Sequence, residues 1–272
     1  MTNKDITKIY FQGNEIVALY QGSTLIFKKS GVVPPSPTGK YTVRGTVNPY
    51  SGEQSIQLCV NGKQEQFNVN SDNTFEHTFV NVPVTNMDYF TQPCRDKLKT
   101  LDLSDLDTSQ VTSMIEAFYQ CNKLEEIILT NLDTSNVTNM SYMFDQCTRL
   151  TSIDLSGSET TKLTSIHDMF SECYNLKHLY INFDLKLISE YQRDIFISCR
   201  SLTNVVGKFN NFKQYLDLSF SPLTPDSAMV FINGLATVTE KRRLSLSATT
   251  YDSLTPEQIA IATAKGWTVT RS

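Results

Sequence analysis

The chain has 272 residues, 40% hydrophobic and 19% charged, which is ample for a sizeable core in one large or two small domains and excludes a disordered chain or a coiled coil. The formal charge of -4 is a balance of mixed signs, and the one dense basic run is Lys241-Arg242-Arg243, so nucleic acid is not an expected partner. No stretch approaches the roughly 18 apolar residues of a spanning helix, and the opening MTNKDITKIYFQGNEIVALY has no apolar core behind a basic end; neither membrane insertion nor a Sec signal is expected.

In chain order, residues 1–29 carry a short internal repeat, IxxIYxxG over Ile6–Gly13 and IxxLYxG over Ile16–Gly22, followed by TLIFK. Three short strands of this kind bury too little to form a core alone. They are expected to be an attachment and oligomerisation module that needs a partner surface, which implies a homo-oligomer. Residues 30–39, with VVPPSPTGK running from Val32 to Lys40, read as a proline-rich linker. Residues 40–80 alternate apolar and polar positions in YTVRGTV, SIQLCVNGKQEQFNVN and NTFEHTFV, with turns at Asn61-Gly62 and Ser71-Asp72-Asn73. That is the pattern of a small antiparallel β unit.

Residues 81–215 are governed by a period. Cys121, Cys147, Cys173 and Cys199 are 26 residues apart, with Cys94 a further 27 upstream. Phe118, Phe144, Phe170 and Phe196 precede them by three, and Leu124, Leu150, Leu176 and Leu202 follow by three. Each unit reads as a short helical turn such as VTNMSYMFDQC, a short strand such as LTSIDLS and a polar corner such as LDTSN. The expected fold class is therefore an α/β repeat, a leucine-rich-repeat solenoid with one short strand and one short helix per 26-residue coil, preceded by small antiparallel β modules. Stacking at about one strand spacing, ~4.8 Å, would align Phe on Phe and Cys on Cys in internal ladders. Ladder side chains project in parallel, so the thiols are expected to be buried and unbridged.

Residues 216–272 lose the period but keep strand-like YLDLS, RLSLS and WTVTR. Two helices fit between them: one capped by Thr224 with Pro225 at its first position, the other capped by Thr255 with Pro256 first, Gln258 completing a capping box and Gly266 ending it. These are expected to be irregular final coils that close the core.

The segments VTNMSYMFDQCTRLTSIDLS, LDTSNVTNM and LDTSQVTSM resemble the BspA-like leucine-rich repeats, the 26-residue surface-protein repeat of gut and oral bacteria and their phages. The likeness covers roughly residues 80 to 215, and the tail LTPEQIAIATAKGW resembles C-terminal caps of phage-encoded members. The stretch from Asn182 to Cys199 departs from the pattern, losing its Asp-Thr-Ser corner and placing Ser189 where valine stands elsewhere. The first 29 residues resemble the N-termini of phage structural proteins. The resemblance implies a surface or virion protein.

Chemistry-bearing motifs are missing from the sequence. His77, His167 and His178 have no Cys or carboxylate at metal-ligand spacing, and there is no CxxC, GxSxG, HExxH, P-loop or GxGxxG pattern. No cofactor, metal or catalytic residue is expected, and the protein is not expected to be an enzyme. Asp102, Asp154 and Asp217 recur at one strand position, which explains them without glycoside chemistry. Trp267 reads as core. What remains is the strand face. With Leu101, Ile127, Ile153 and Leu179 inward, the alternate residues point outward, and Asp102, Glu126, Ile128, Asp154, His178 and Tyr180 form the candidate binding face. Two functions are compatible: a phage virion protein of the fibre, tail or head-decoration type whose residues 1–29 dock to other virion or surface proteins, or a bacterial cell-surface adhesin binding a host surface protein or glycan. The unpaired thiols and the opening without a signal favour the virion.

Overall fold

A computed structural model describes residues 6–11, 14–21, 24–28, 40–49, 52, 54–80, 83–188, 192 and 194–272. The linker at 30–39 and the departure at Ser189 lie outside the described residues. The chain divides into two units, Met1–Pro37 and Thr38–Ser272. In the first, β1 (Ile6–Phe11), β2 (Asn14–Gln21) and β3 (Thr24–Lys28) form an antiparallel meander. Ile9 lies opposite Ile16, Leu19 opposite both Ile6 and Phe27, and a bulge falls between Leu19 and Tyr20.

The second unit begins with β4 (Lys40–Val47), β5 (Ser55–Val60), β6 (Lys63–Asn68) and β7 (Thr74–Val80). β5 and β6 form a hairpin whose turn residues Asn61 and Gly62 have φ 52° and 74°, the left-handed pair that an Asn-Gly turn supplies. β4 is flanked by β7 on one side and on the other by β8 (Leu98–Asp102), the first strand of the repeats. Both contacts are antiparallel, so residues 40–80 and the repeats share a sheet. At the crossing, a Cβ on Gly45 would meet the Thr100 carbonyl and the Phe75 ring, and only glycine admits this approach.

The α/β leucine-rich-repeat solenoid expected from the sequence, with a short helix in every repeat, is not what forms. Among the described residues the structure consists mostly of sheets of two to four strands, and the three α-helices all lie between Pro225 and Ala264. The strands of the repeats do not join one sheet either. β8 pairs in parallel with β9 (Glu126–Ile128), and β10 (Ser152–Leu155) with β11 (His178–Asp184), which pairs with β12 (Asn204–Asn210). The ladder is interrupted between β9 and β10, and again before β13 (Leu216–Leu218).

The reason lies in the backbone of the segments read as helical. Glu116, Tyr142 and Asp168 have φ of 54°, 59° and 51°, and Gln120, Gln146 and Glu172 have 58°, 60° and 54°. A left-handed residue every fourth position breaks a right-handed helix. The N–H groups that a helix would use internally cross to the next repeat instead. Met114 donates to the Asn139 carbonyl at 2.9 Å, Glu116 to Ser141 at 3.0 Å, Phe118 to Met143 at 2.9 Å and Gln120 to Asp145 at 2.8 Å. One repeat later Met140, Tyr142, Phe144 and Gln146 donate to Ser165, His167, Met169 and Ser171 at 2.7–3.0 Å. The apolar spacing of three to four residues is met by successive turns.

The interior still follows the period. The rings of Phe118, Phe144, Phe170 and Phe196 stack at centroid distances of 5.1, 5.9 and 5.4 Å, and all four are buried. The five period-related cysteines are buried and free, whereas Cys59 is half-buried. The thiols of Cys147, Cys173 and Cys199 donate to the carbonyls of Phe118, Phe144 and Phe170 at 3.0, 3.1 and 3.0 Å.

After β13 come α1 (Pro225–Gly234), β14 (Arg242–Leu246), α2 (Ala248–Ser253), α3 (Pro256–Ala264) and β15 (Trp267–Arg271). Thr224 and Thr255 cap α1 and α3 through their side chains, and Gln258 completes the capping box, as the local sequence requires. The helix α2, capped by Ser247, is additional to the two expected. Trp267 is buried and donates its indole N–H to the Ala236 carbonyl at 2.8 Å.

Candidate functional site

Parallel pairing at the 26-residue period sets equivalent residues side by side, so the outward side of the strands is a grid. On β8 and β9, Thr100 lies beside Glu126 and Asp102 beside Ile128. On β10, β11 and β12 one row is Ser152, His178 and Asn204, and the next is Asp154, Tyr180 and Val206. Because β9 and β10 do not pair, the six nominated residues fall into two groups. Asp102, Glu126 and Ile128 form one, and Asp154, His178 and Tyr180 the other.

The two aspartates have local work. Asp102 accepts the Ser104 N–H at 2.9 Å, and Asp154 accepts both the N–H and the hydroxyl of Ser156 at 2.9 and 2.6 Å. Asp217 does the same with the Ser219 N–H at 2.9 Å. These are turn-forming carboxylates at strand ends, which is why they recur. In Asp217 the second oxygen accepts the Tyr215 hydroxyl at 2.8 Å.

Glu126 and His178 are exposed, Ile128 is 38% exposed, and Tyr180 is half-buried between its neighbours rather than fully open. The His178 ring nitrogen Nδ1 lies 3.4 Å from the Asn204 amide. Val206, at 45% exposure, is the residue that the sequence reading omits. The signal for it is present, since Val206 lies one period after Tyr180, but Gly207 and Lys208 interrupt the leucine pattern of β12. Gly207 has φ 118°, and a Cβ there would strike the Ile181 carbonyl, so the glycine is what lets β12 approach β11 and place Val206 beside Tyr180.

Asp154 is the one charged residue of this row. Glu125 bridges Lys99 and Arg149 at 3.7 and 3.3 Å, exposed pairs of small energetic weight. Lys208 lies opposite Asn182. A separate half-open groove of about 520 Å3 runs over the turns, lined in part by Asn139, Ser141, Tyr142 and His167.

Residues 85–209 match the family described as Mycoplasma protein of unknown function, DUF285. The matched span holds the five period-related cysteines, strands β8 to β11 and β12 up to Phe209, and leaves out the meander and the helical tail. No curated protein and no solved structure matches the chain.

Proposed function

We propose that this chain is a non-catalytic recognition and structural protein, a component of a phage virion of the fibre, tail or head-decoration type, which presents the outward side of its parallel strands to a host-cell or virion partner. One observation carries the reading. The row Asp154, Tyr180 and Val206 sets an acid, a half-buried phenol and an exposed aliphatic side chain on three adjacent strands. An aromatic anchor beside apolar surface, with polar groups around it, is the composition of an interface centre.

Two features support the virion setting. The repeats and the first 29 residues resemble BspA-like surface proteins and phage structural proteins, from which docking through residues 1–29 and self-association follow. The buried thiols are free and each of three is held by a carbonyl, the state suited to assembly in a reducing cytosol. The second reading is a bacterial cell-surface adhesin, for which the polar row Ser152, His178 and Asn204 would serve a glycan. Immunogold labelling with antibodies raised against the purified chain separates the two. Label on purified particles is expected; label confined to the envelope of uninfected cells overturns the virion reading in favour of the adhesin.

A further inference from the structure

Asp145 is the exception in the interior. It stands one period after Tyr119 and one before Ser171, and is only 7% exposed. Its Oδ1 has no hydrogen-bond partner among the described residues. An ionised carboxylate in that setting pays for desolvation with nothing on one oxygen.

The surroundings make the charge costlier. In the next repeat the carboxylates of Asp168 and Glu172 act on Asp145. Around it lie the Tyr119 phenol of the preceding repeat, Tyr174 and the thiol of Cys173 in the next, and the thiol of Cys199 beyond. Only the Ser171 hydroxyl and the Gln146 N–H act in favour of the anion. Burial first, and then the two acids, raise the carboxyl to about 7.

We propose that Asp145 is a proton-controlled joint in the stack of repeats: neutral, it is sealed between the repeats of Tyr119 and Ser171, and its ionisation draws water to Oδ1 and loosens that contact. The folded-state value lies above that of an unfolded aspartate, so folding takes up a proton between the two values. The contribution to stability is therefore greatest on the acid side and is lost as pH rises through the folded value. The joint tightens on acidification, opposite to a salt-bridged carboxylate.

The backbone reports on the joint directly. The Gln120 N–H donates to the Asp145 carbonyl at 2.8 Å and the Gln146 N–H to the Ser171 carbonyl at 2.9 Å, so both bonds span the repeats concerned. Hydrogen exchange of the full chain, corrected for intrinsic rates, is compared at about pH 6 and about pH 8.5. Protection at Gln120 and Gln146 is expected to fall at least roughly tenfold at the higher pH, while the amides of β14 hold. Asp145→Asn keeps the shape without the charge and should abolish the difference. An equal loss in Asp145→Asn, or no loss in the wild type, overturns the proposal. If the variant fails to fold, carbon-13 NMR of the wild-type carboxyl decides: a midpoint near neutrality supports the joint, and one at or below about 5 rejects it.

Discussion

The Cys147 thiol donates a hydrogen bond of 3.0 Å to the Phe118 carbonyl, 29 positions earlier in the chain. The same relationship joins Cys173 to Phe144 and Cys199 to Phe170. The Phe N–H groups cross to the following repeat, as Phe118 does to Met143 and Phe144 to Met169, and the Phe carbonyls receive thiols. Each of these carbonyls also accepts the N–H of the cysteine three residues later, Cys121, Cys147 and Cys173 at 3.3, 3.0 and 3.3 Å, so the thiol is a second donor from the next repeat, and the period of free cysteines is a packing feature rather than a disulfide framework.

Burial raises the Cys147 and Cys173 thiols well above the ordinary value, and neighbouring thiols add to it. Alkylation of the native protein near pH 8 is therefore expected to reach half-buried Cys59 first, and the period-related cysteines only after unfolding. Mass spectrometry of native and denatured samples checks this. Cys147→Ala should cost about 0.5–1.5 kcal/mol in urea denaturation, because it removes the thiol bond to the Phe118 carbonyl, which keeps the Cys121 N–H at 3.3 Å. Cys147→Ser should recover part of that loss.

Phe144 lies between the stacked rings of Phe118 and Phe170 and is fully buried. Phe144→Ala should lower stability by about 3–5 kcal/mol, from lost transfer energy and a cavity that flanking rings cannot fill. A change below about 1 kcal/mol in a denaturant melt would place the ring outside the core.

Gly207 and Gly157 offer a paired test of backbone approach. Gly207→Ala combines the φ of 118° with a collision on the Ile181 carbonyl, whereas a Cβ on Gly157 meets nothing within 4 Å. The first should cost about 1–3 kcal/mol or more, and the second should leave the melting temperature nearly unchanged. Equal effects would mean that β12 does not pair closely with β11.

The recognition row is tested by Tyr180→Ala with Val206→Ala, which should weaken adsorption to the host cell or partner at least roughly tenfold with little change in melting temperature. The control pair is Thr112→Ala with Thr161→Ala, both exposed and outside the strands. If both pairs behave alike in an adsorption assay, the strand face is not the site.

Removal of Met1–Pro37 should leave Thr38–Ser272, a unit with its own continuous core, folded with an unchanged circular dichroism melt. Self-association measured by light scattering should be lost. A truncated chain that melts early would place the meander in the main core, and one that still associates would remove residues 1–29 from the contact.

What the sequence by itself determined is the interior of the repeats and the caps of the tail. A period of 26 makes Phe stack on Phe and Cys follow Cys because equivalent side chains of adjacent repeats share one environment, and these residues are buried as that argument requires. The starts at Thr224 and Thr255 were legible because a cap is a local hydrogen bond. Tertiary structure decided the rest. Apolar residues three and four apart fit a helix and a run of turns equally, and the bonds that choose between them, such as Gln120 to Asp145, exist only once neighbouring repeats are stacked. The same holds for the interruption between β9 and β10 that divides the nominated face, for Val206 beside Tyr180, and for the unpartnered oxygen of Asp145. Each depends on what an adjacent repeat places within hydrogen-bonding or packing distance, and a one-dimensional pattern carries no such distance.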